Sequence, residues 1–377
     1  MKNKKILFAI NHPAHYHLFK NCAKILESRG FKVLFTIKSK DVLENLLVED
    51  RIEYVNILKT VIKRKAGSKI SIYFSSGIEL LLKNFGLFKI LIKFKPNIMF
   101  GCETAMTQVG RLMNIPNFIF NEDDWNSQPE YCFPTYPFAT ALFSPQSCKA
   151  GRWEKKKIAY KSLHELAYLH PKYFKPDINK VKHLFRGKKR YYLLRFVNLT
   201  ASHDVNAKGI SYENTMKIIE KLKDKGEIYI TSERPLEKEL EKYRISINPI
   251  DIHHALYFAD LVIADSQTMT AEAAVLGTAS VRLSNWKGIL TYLDDLEDLY
   301  QLTYGFKVDK TDEFIEKIDE LLKIENIKVL FQERVKKLYS SSIDLTAFMV
   351  WFADNYPESK KAINNNINFQ NKFKFND

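Results

Sequence analysis

The chain has 377 residues, 46% of them hydrophobic and 27% charged, which is enough for two ordinary domains with a core each and excludes a disordered or fibrous polymer. Four cysteines (Cys22, Cys102, Cys132 and Cys148) are far apart without a CxxC spacing, which excludes a zinc framework or disulfide scaffold and fits a reducing, cytoplasmic setting. The net charge of +14 fits a lysine-rich surface or attraction to anionic lipid, sugar phosphates or nucleic acid; no zinc-finger or RRM-like signature and no compact arginine cluster is present, which sets nucleic acid aside.

The N-terminal apolar run, Ile6 to Ile10, is too short for a secretory h-region and reads as a first strand. A proline-containing loop and a helix around 15–28 follow, stopped by Gly30. "FKVLFTI" is a strand, "DVLENLL" a helix and "EYVNIL" a strand. A long apolar helix covers 70–94, "NIMFG" is a strand, 104–113 a helix, and "NFIFNEDD" a strand with an acidic end. The proline-bearing middle, 125–180, is irregular, with a short strand in "TALFSP". A second alternating set begins at "RYYLLRFVN": a helix over 212–223, the strand "EIYIT", helices in "PLEKELEKY" and "IHHALYFAD", the strand "LVIAD", a helix over 268–276 and the strand "ASVRL". Helices over 311–323, 328–338 and 344–355 follow, then an Asn/Lys-rich end that reads as a loose tail. The βαβα alternation predicts an α/β protein of two Rossmann-like domains with parallel sheets: residues 1–175, residues 176–345, and a return helix with tail over 346–377. Ligands of such sheets bind beyond the carboxyl ends of strands.

The run "LVIADSQTMTAEAAVLGT" ends an apolar strand in hydroxyls and amides. A helix start presents unpaired N–H groups and partial positive charge, which suit a phosphate, and Ser266 and Thr268 add hydroxyls. Neither opens a capping box, so those N–H groups have no evident side-chain partner. Glu272, four residues past Thr268, shares its helix face and can accept from two ribose hydroxyls; the plainer alternative is a helix cap with a solvated glutamate.

In "NHPAHYHLF", three histidines in six residues raise the question of a metal. The i, i+2 spacing of His15 and His17 points them to different sides of a helix, against a shared ion, so no metal or cofactor is expected. Contact with substrate, or helix capping and packing, are the remaining readings. Two acidic strand ends, Glu103 in "GCETAM" and Glu122, Asp123 and Asp124 in "NEDDW", should meet at one rim of a parallel sheet. There they would raise each other's pKa for proton transfer, or cap helices and bind arginines. The apolar helix "ISIYFSSGIELLLKNFGLFKILIKFKP", with Lys83, Lys89, Lys93 and Lys95, reads as a core helix or as an interfacial helix on an anionic membrane.

"ADLVIADSQTMTAEAAVLGTASVRL" resembles the nucleotide-binding segment of GT-B enzymes, above all the non-hydrolysing UDP-N-acetylglucosamine 2-epimerases. With "ILFAINHPAHYHLFKNCAKILESRGFKVLFTIKSKD" and "KIAYKSLHELAYLHPKYFKPD" it resembles more closely a related family, domain of unknown function 354, over about Lys5 to Phe306. The resemblance implies a GT-B fold in which Ser266 stands at the diphosphate, Gln267 and Thr268 replace two glycines there, and Glu272 takes the ribose-binding position. It puts Glu103 where the epimerases carry a proton-transferring aspartate and Glu122 at their first catalytic glutamate. It faces His12, Pro13 and His15 toward sugar and acceptor, with His15 as a base and Asp123 beside the substrate. The epimerases' histidine–arginine pair has no match in "LLRFVNLTASHD": Arg195 is left to serve the phosphates, and His203 falls several residues too far along. The expected activity is transfer of a sugar from a nucleoside-diphosphate sugar to a glycan or lipid-linked acceptor in cell-surface polysaccharide or glycolipid synthesis, in the cytoplasm or peripherally at the inner membrane face. The alternatives are a sugar-nucleotide epimerase and a non-catalytic nucleotide-sugar-binding protein.

Overall fold

The computed structural model of the protein describes residues 4–38, 41–58, 69–198 and 209–375. They form two compact units, one comprising Met1–Tyr168 with Ile343–Lys374, the other Leu169–Ser342 with Phe375–Asp377. The first holds a seven-stranded sheet of β1 (Lys5–Ile10), β2 (Lys32–Lys38), β3 (Tyr54–Leu58), β4 (Ile98–Gly101), β5 (Asn117–Phe120), β6 (Ala141–Pro145) and β7 (Lys157–Tyr160), in the order β3-β2-β1-β4-β5-β6-β7. The second holds a five-stranded sheet of β8 (Tyr191–Phe196), β9 (Glu227–Ser232), β10 (Leu261–Ala264), β11 (Ser280–Leu283) and β12 (Thr303–Phe306), in the order β12-β11-β10-β8-β9. Every strand pair is parallel.

The strand order reverses between β1 and β4 in the first unit and between β8 and β10 in the second. Such reversals splay the connecting segments to opposite faces and open a crevice at the strand ends, the usual ligand position in parallel sheets. The crevices thus fall beside Asn11 and Glu103, and beside Arg195 and Ser266.

Register explains the aromatic core of the first unit. Phe35, Phe8, Phe100 and Phe118 are direct partners across β2, β1, β4 and β5, and Phe120 pairs with Phe143 on β6. The Phe120 and Phe143 rings stack at 4.6 Å, and Phe352 from the helix Leu345–Asp354 meets Phe143 edge-on at 4.9 Å. Each such pair adds about 0.5–1.5 kcal/mol beyond area burial. That helix packs on Pro13–Ser28.

Three expectations need correction. The segment "PLEKELEKY" forms only a short turn over Glu241–Tyr243: Leu236, Leu240 and Tyr243 have helical spacing, but only Leu240 is buried, so a helix would gain little from tertiary packing. The Asn/Lys-rich end is ordered rather than loose: Glu358–Asn365 is helical, Ile367–Phe373 is a 3-10 segment, and Phe369 and Phe373 lie 4.8 and 5.3 Å from the Trp351 ring. Short alternations also conceal β7, β12 and the helix Thr291–Asp298.

Candidate functional site

In the second unit, β10 runs through Asp265 and Ser266 into the helix Gln267–Val275, which ends at Gly277 with φ +66°, a conformation that favours glycine. Ser266 is the N-cap, its Oγ accepting from the Met269 N–H at 3.3 Å. One helix-start N–H is therefore committed, contrary to the sequence expectation, because a serine needs no capping-box glutamate to cap alone. The cap uses Oγ as an acceptor and leaves the hydroxyl proton to donate. Gln267 donates from Nε2 to Ser284 Oγ at 3.0 Å, tying the helix start to the end of β11. Thr268 is half-buried on the first turn.

Glu272 is buried, with Oε1 3.0 Å from Nε2 of the buried His253 on the helix Ile252–Phe258. The solvated-glutamate alternative is thereby excluded. Arg195 sits on β8 in direct register with Ala264, and its guanidinium is ion-paired with Glu233. Asp265 turns inward, accepts from Val197 N at 2.7 Å and Ile210 N at 3.3 Å, and is ion-paired with the Arg234 guanidinium at 3.2 Å. Burial pushes its carboxyl above the usual range, opposed by those donors. Gly209 lies so close that a Cβ there would stand 2.1 Å from Asp265 Oδ2. His203 lies outside the described residues.

In the first unit, His12 caps the helix Pro13–Ser28, its Nδ1 accepting from Ala14 N at 3.2 Å, with Pro13 in the first turn. The His12 and His15 rings meet at 5.8 Å, whereas His17 is buried against Tyr168 at 5.3 Å. Among the described residues no group of three or more His, Cys, Asp or Glu side chains is placed to hold a metal ion. Glu103, at the start of the helix Thr104–Leu112, does not cap it. The carboxylate accepts instead from Asn11 Nδ2 at 3.0 Å and lies 3.2 Å from Lys83 Nζ. Lys83 also meets Glu79 at 3.3 Å, and Glu79 meets Lys38 at 2.6 Å. Burial works against the Lys83 charge, but Glu103 and Glu79 outweigh it and hold its pKa above the ordinary value.

Glu122 follows β5, with Oε2 3.3 Å from Nδ1 of His164. Burial pushes His164 down to about 3, so its imidazole is neutral at physiological pH. Asp123 accepts from Gln128, and Asp124 turns inward to the Lys149 N–H at 2.9 Å. The acidic strand ends thus have separate partners, Glu103 a lysine and an asparagine, and Glu122 a neutral histidine.

A family model described as "Protein of unknown function (DUF354)" matches residues 4–303. The chain belongs to this family. No curated protein matches this DUF354 chain. Among solved structures, the UDP-GlcNAc 2-epimerase of Methanocaldococcus jannaschii in complex with UDP-GlcNAc and UDP is 15% identical, with 85% of this chain and 93% of that one covered and a TM-score of 0.60. A Staphylococcus aureus MnaA–UDP structure is 13% identical (98% and 97% covered, TM-score 0.59). CalG4, the calicheamicin glycosyltransferase, is 11% identical (97% and 99% covered, TM-score 0.59). At such identities the likeness establishes the fold, GT-B, which epimerases and glycosyltransferases share.

Within the DUF354 chain, the residues singled out from sequence divide between the two units, at strand ends or on the helices that follow them. His12, Pro13, His15, Glu103, Glu122 and Asp123 belong to the first unit; Arg195, Ser266, Gln267, Thr268 and Glu272 belong to the second. Sequence reasoning missed His164 beside Glu122, Lys83 beside Glu103 and His253 beside Glu272, and also the ion pair of Asp265 with Arg234 next to the β10 junction. The signal for His164 was its place just after an unrecognised strand, β7. The other pairings join distant segments and leave no mark in spacing.

Proposed function

We propose that the chain transfers a sugar from a nucleoside-diphosphate sugar to a glycan or lipid-linked acceptor in cell-surface polysaccharide or glycolipid synthesis. The observation that carries this reading is the β10–helix junction. A capping serine with a hydroxyl proton to donate, a helix start, an arginine on the adjacent strand and a buried glutamate in the second turn all lie at a sheet reversal. In the mechanism, Ser266, Gln267, Thr268 and the backbone N–H groups hold the diphosphate, with Arg195 opposing the charge that grows as it departs. Glu272 takes the ribose hydroxyls. No metal is required, because donors and a cation stabilise the leaving group. A base takes the acceptor proton; Glu122, beside neutral His164, and His15 are the groups for that role. Glu103 is an electrostatic anchor, since Lys83 and Asn11 hold its carboxylate. His12, Pro13 and Asp123 bound the sugar side.

A second reading is favoured by the UDP-bound epimerase structures that share the fold: epimerisation of the donor sugar, with Glu103 and Glu122 on neighbouring strands exchanging the C2 proton. Incubation with UDP-GlcNAc in deuterium oxide without acceptor separates the two. The transferase reading expects no deuterium in recovered sugar nucleotide; incorporation at C2 establishes the epimerase. If the nucleotide binds but neither exchange nor transfer occurs across an acceptor panel, a binding protein remains.

A further inference from the structure

We propose that the helix Lys69–Phe94 docks the protein flat on an anionic lipid surface. The helix has one buried side and one exposed side. Leu87 and Leu91 are fully buried, and Glu79 and Lys83 point inward to their network. Ile78, Leu81, Leu82, Phe85 and Ile92 fall at i, i+3, i+4, i+7 and i+14, one stripe about 21 Å long. They are exposed: Leu81 is 69% accessible, Phe85 60% and Ile92 48%. Scattered apolar side chains are ordinary on a surface, but several large ones on one helix face mark an interaction face.

Charge selects the partner. Lys89 lies within the stripe, its Nζ 4.1 Å from the Phe85 ring centre, and Lys93 and Lys95 are exposed at its end. From 75 to 95 the sole acidic residue is Glu79, which is buried. Apolar groups that enter the acyl boundary, with lysines that reach headgroup phosphates, make an interfacial helix. A protein partner would leave Lys89 to be buried in the middle of the contact. No described helix is long and apolar enough to cross a membrane, so the association is lateral. The proposal goes beyond the sugar-transfer reading and is independent of it, because vesicle binding is read without substrate.

The test is co-sedimentation of the full chain with phosphatidylcholine vesicles and with phosphatidylcholine–phosphatidylglycerol vesicles. Binding to the anionic vesicles only is expected, weakened by salt. Leu81→Glu with Phe85→Glu, at exposed positions and with an unchanged melting temperature, should abolish it. Lys89→Gln with Lys93→Gln keeps the apolar stripe and should weaken binding by about fivefold per lysine. The proposal is overturned by absence of binding to anionic vesicles, by equal binding of the Leu81/Phe85 variant, or by a wild-type dimer in sedimentation velocity that this variant dissolves. The last result would assign the stripe to a second copy of the chain.

Discussion

Glu272 offers a perturbation whose two consequences separate. Its Oε1 lies 3.0 Å from His253 Nε2, and both side chains are buried. Glu272→Ala leaves the imidazole without this partner, at a cost of about 1–3 kcal/mol. With an unfolding entropy near 2.1 cal/mol/K per residue, a unit the size of Leu169–Ser342 should lose about 3–8 °C of melting temperature. Glu272→Gln keeps a carbonyl oxygen to accept from His253 and should melt within about 2 °C of wild type. The glutamine is a poorer acceptor for two vicinal ribose hydroxyls, so both variants should lose roughly 5- to 150-fold in UDP affinity, the equivalent of about 1–3 kcal/mol. Differential scanning fluorimetry reads the first effect and titration calorimetry the second. A Glu272→Gln variant that folds normally and binds UDP as tightly as wild type refutes the ribose role and leaves a packing pair.

Three other outcomes follow from the same geometry. His164 has a folded pKa near 3 against about 6.5 when unfolded, so the unfolded chain binds the extra proton below pH 6.5. The stability from its neutral burial is present above pH 6.5 and is lost as pH falls toward 3, by about 2 kcal/mol at pH 5. His164→Asn keeps a donor toward Glu122 but does not titrate, so its urea midpoint should fall less between pH 7 and pH 5 than that of wild type; equal slopes contradict this. Lys83→Met leaves Glu103 and part of the Glu79 charge buried without compensation and should cost about 3–5 kcal/mol, part of it recovered by adding Glu103→Gln in a double-mutant cycle read by urea denaturation. Gly209→Ala presses a methyl into the Asp265 carboxylate and should destabilise by about 1–3 kcal/mol, with a melting temperature equal to wild type as the contrary result.

The fold was readable because parallel strands buried on both faces appear as apolar runs such as "ILFAI" and "LVIA", separated by helical periodicity. Both rims were readable for the same reason, since the polar residue that ends each run marks a strand end. What the sequence concealed was which distant groups meet. His253 and Glu272 are joined by packing of two helices, Lys83 reaches Glu103 from a helix that reads as a core or interfacial helix, and Asp265 looks like a strand terminator although it holds Val197, Ile210 and Arg234. "PLEKELEKY" misled in the opposite direction, because its Leu236, Leu240 and Tyr243 have helical spacing but only Leu240 is buried.

Hydrogen-exchange mass spectrometry of the full chain with and without UDP tests the central claim most directly. Nucleotide held at the start of the helix Gln267–Val275 should slow exchange in peptides spanning Asp265–Val275 and in the β8 end around Arg195. Saturating UDP that leaves those peptides unchanged, or that protects only segments of the first unit, would contradict the claim.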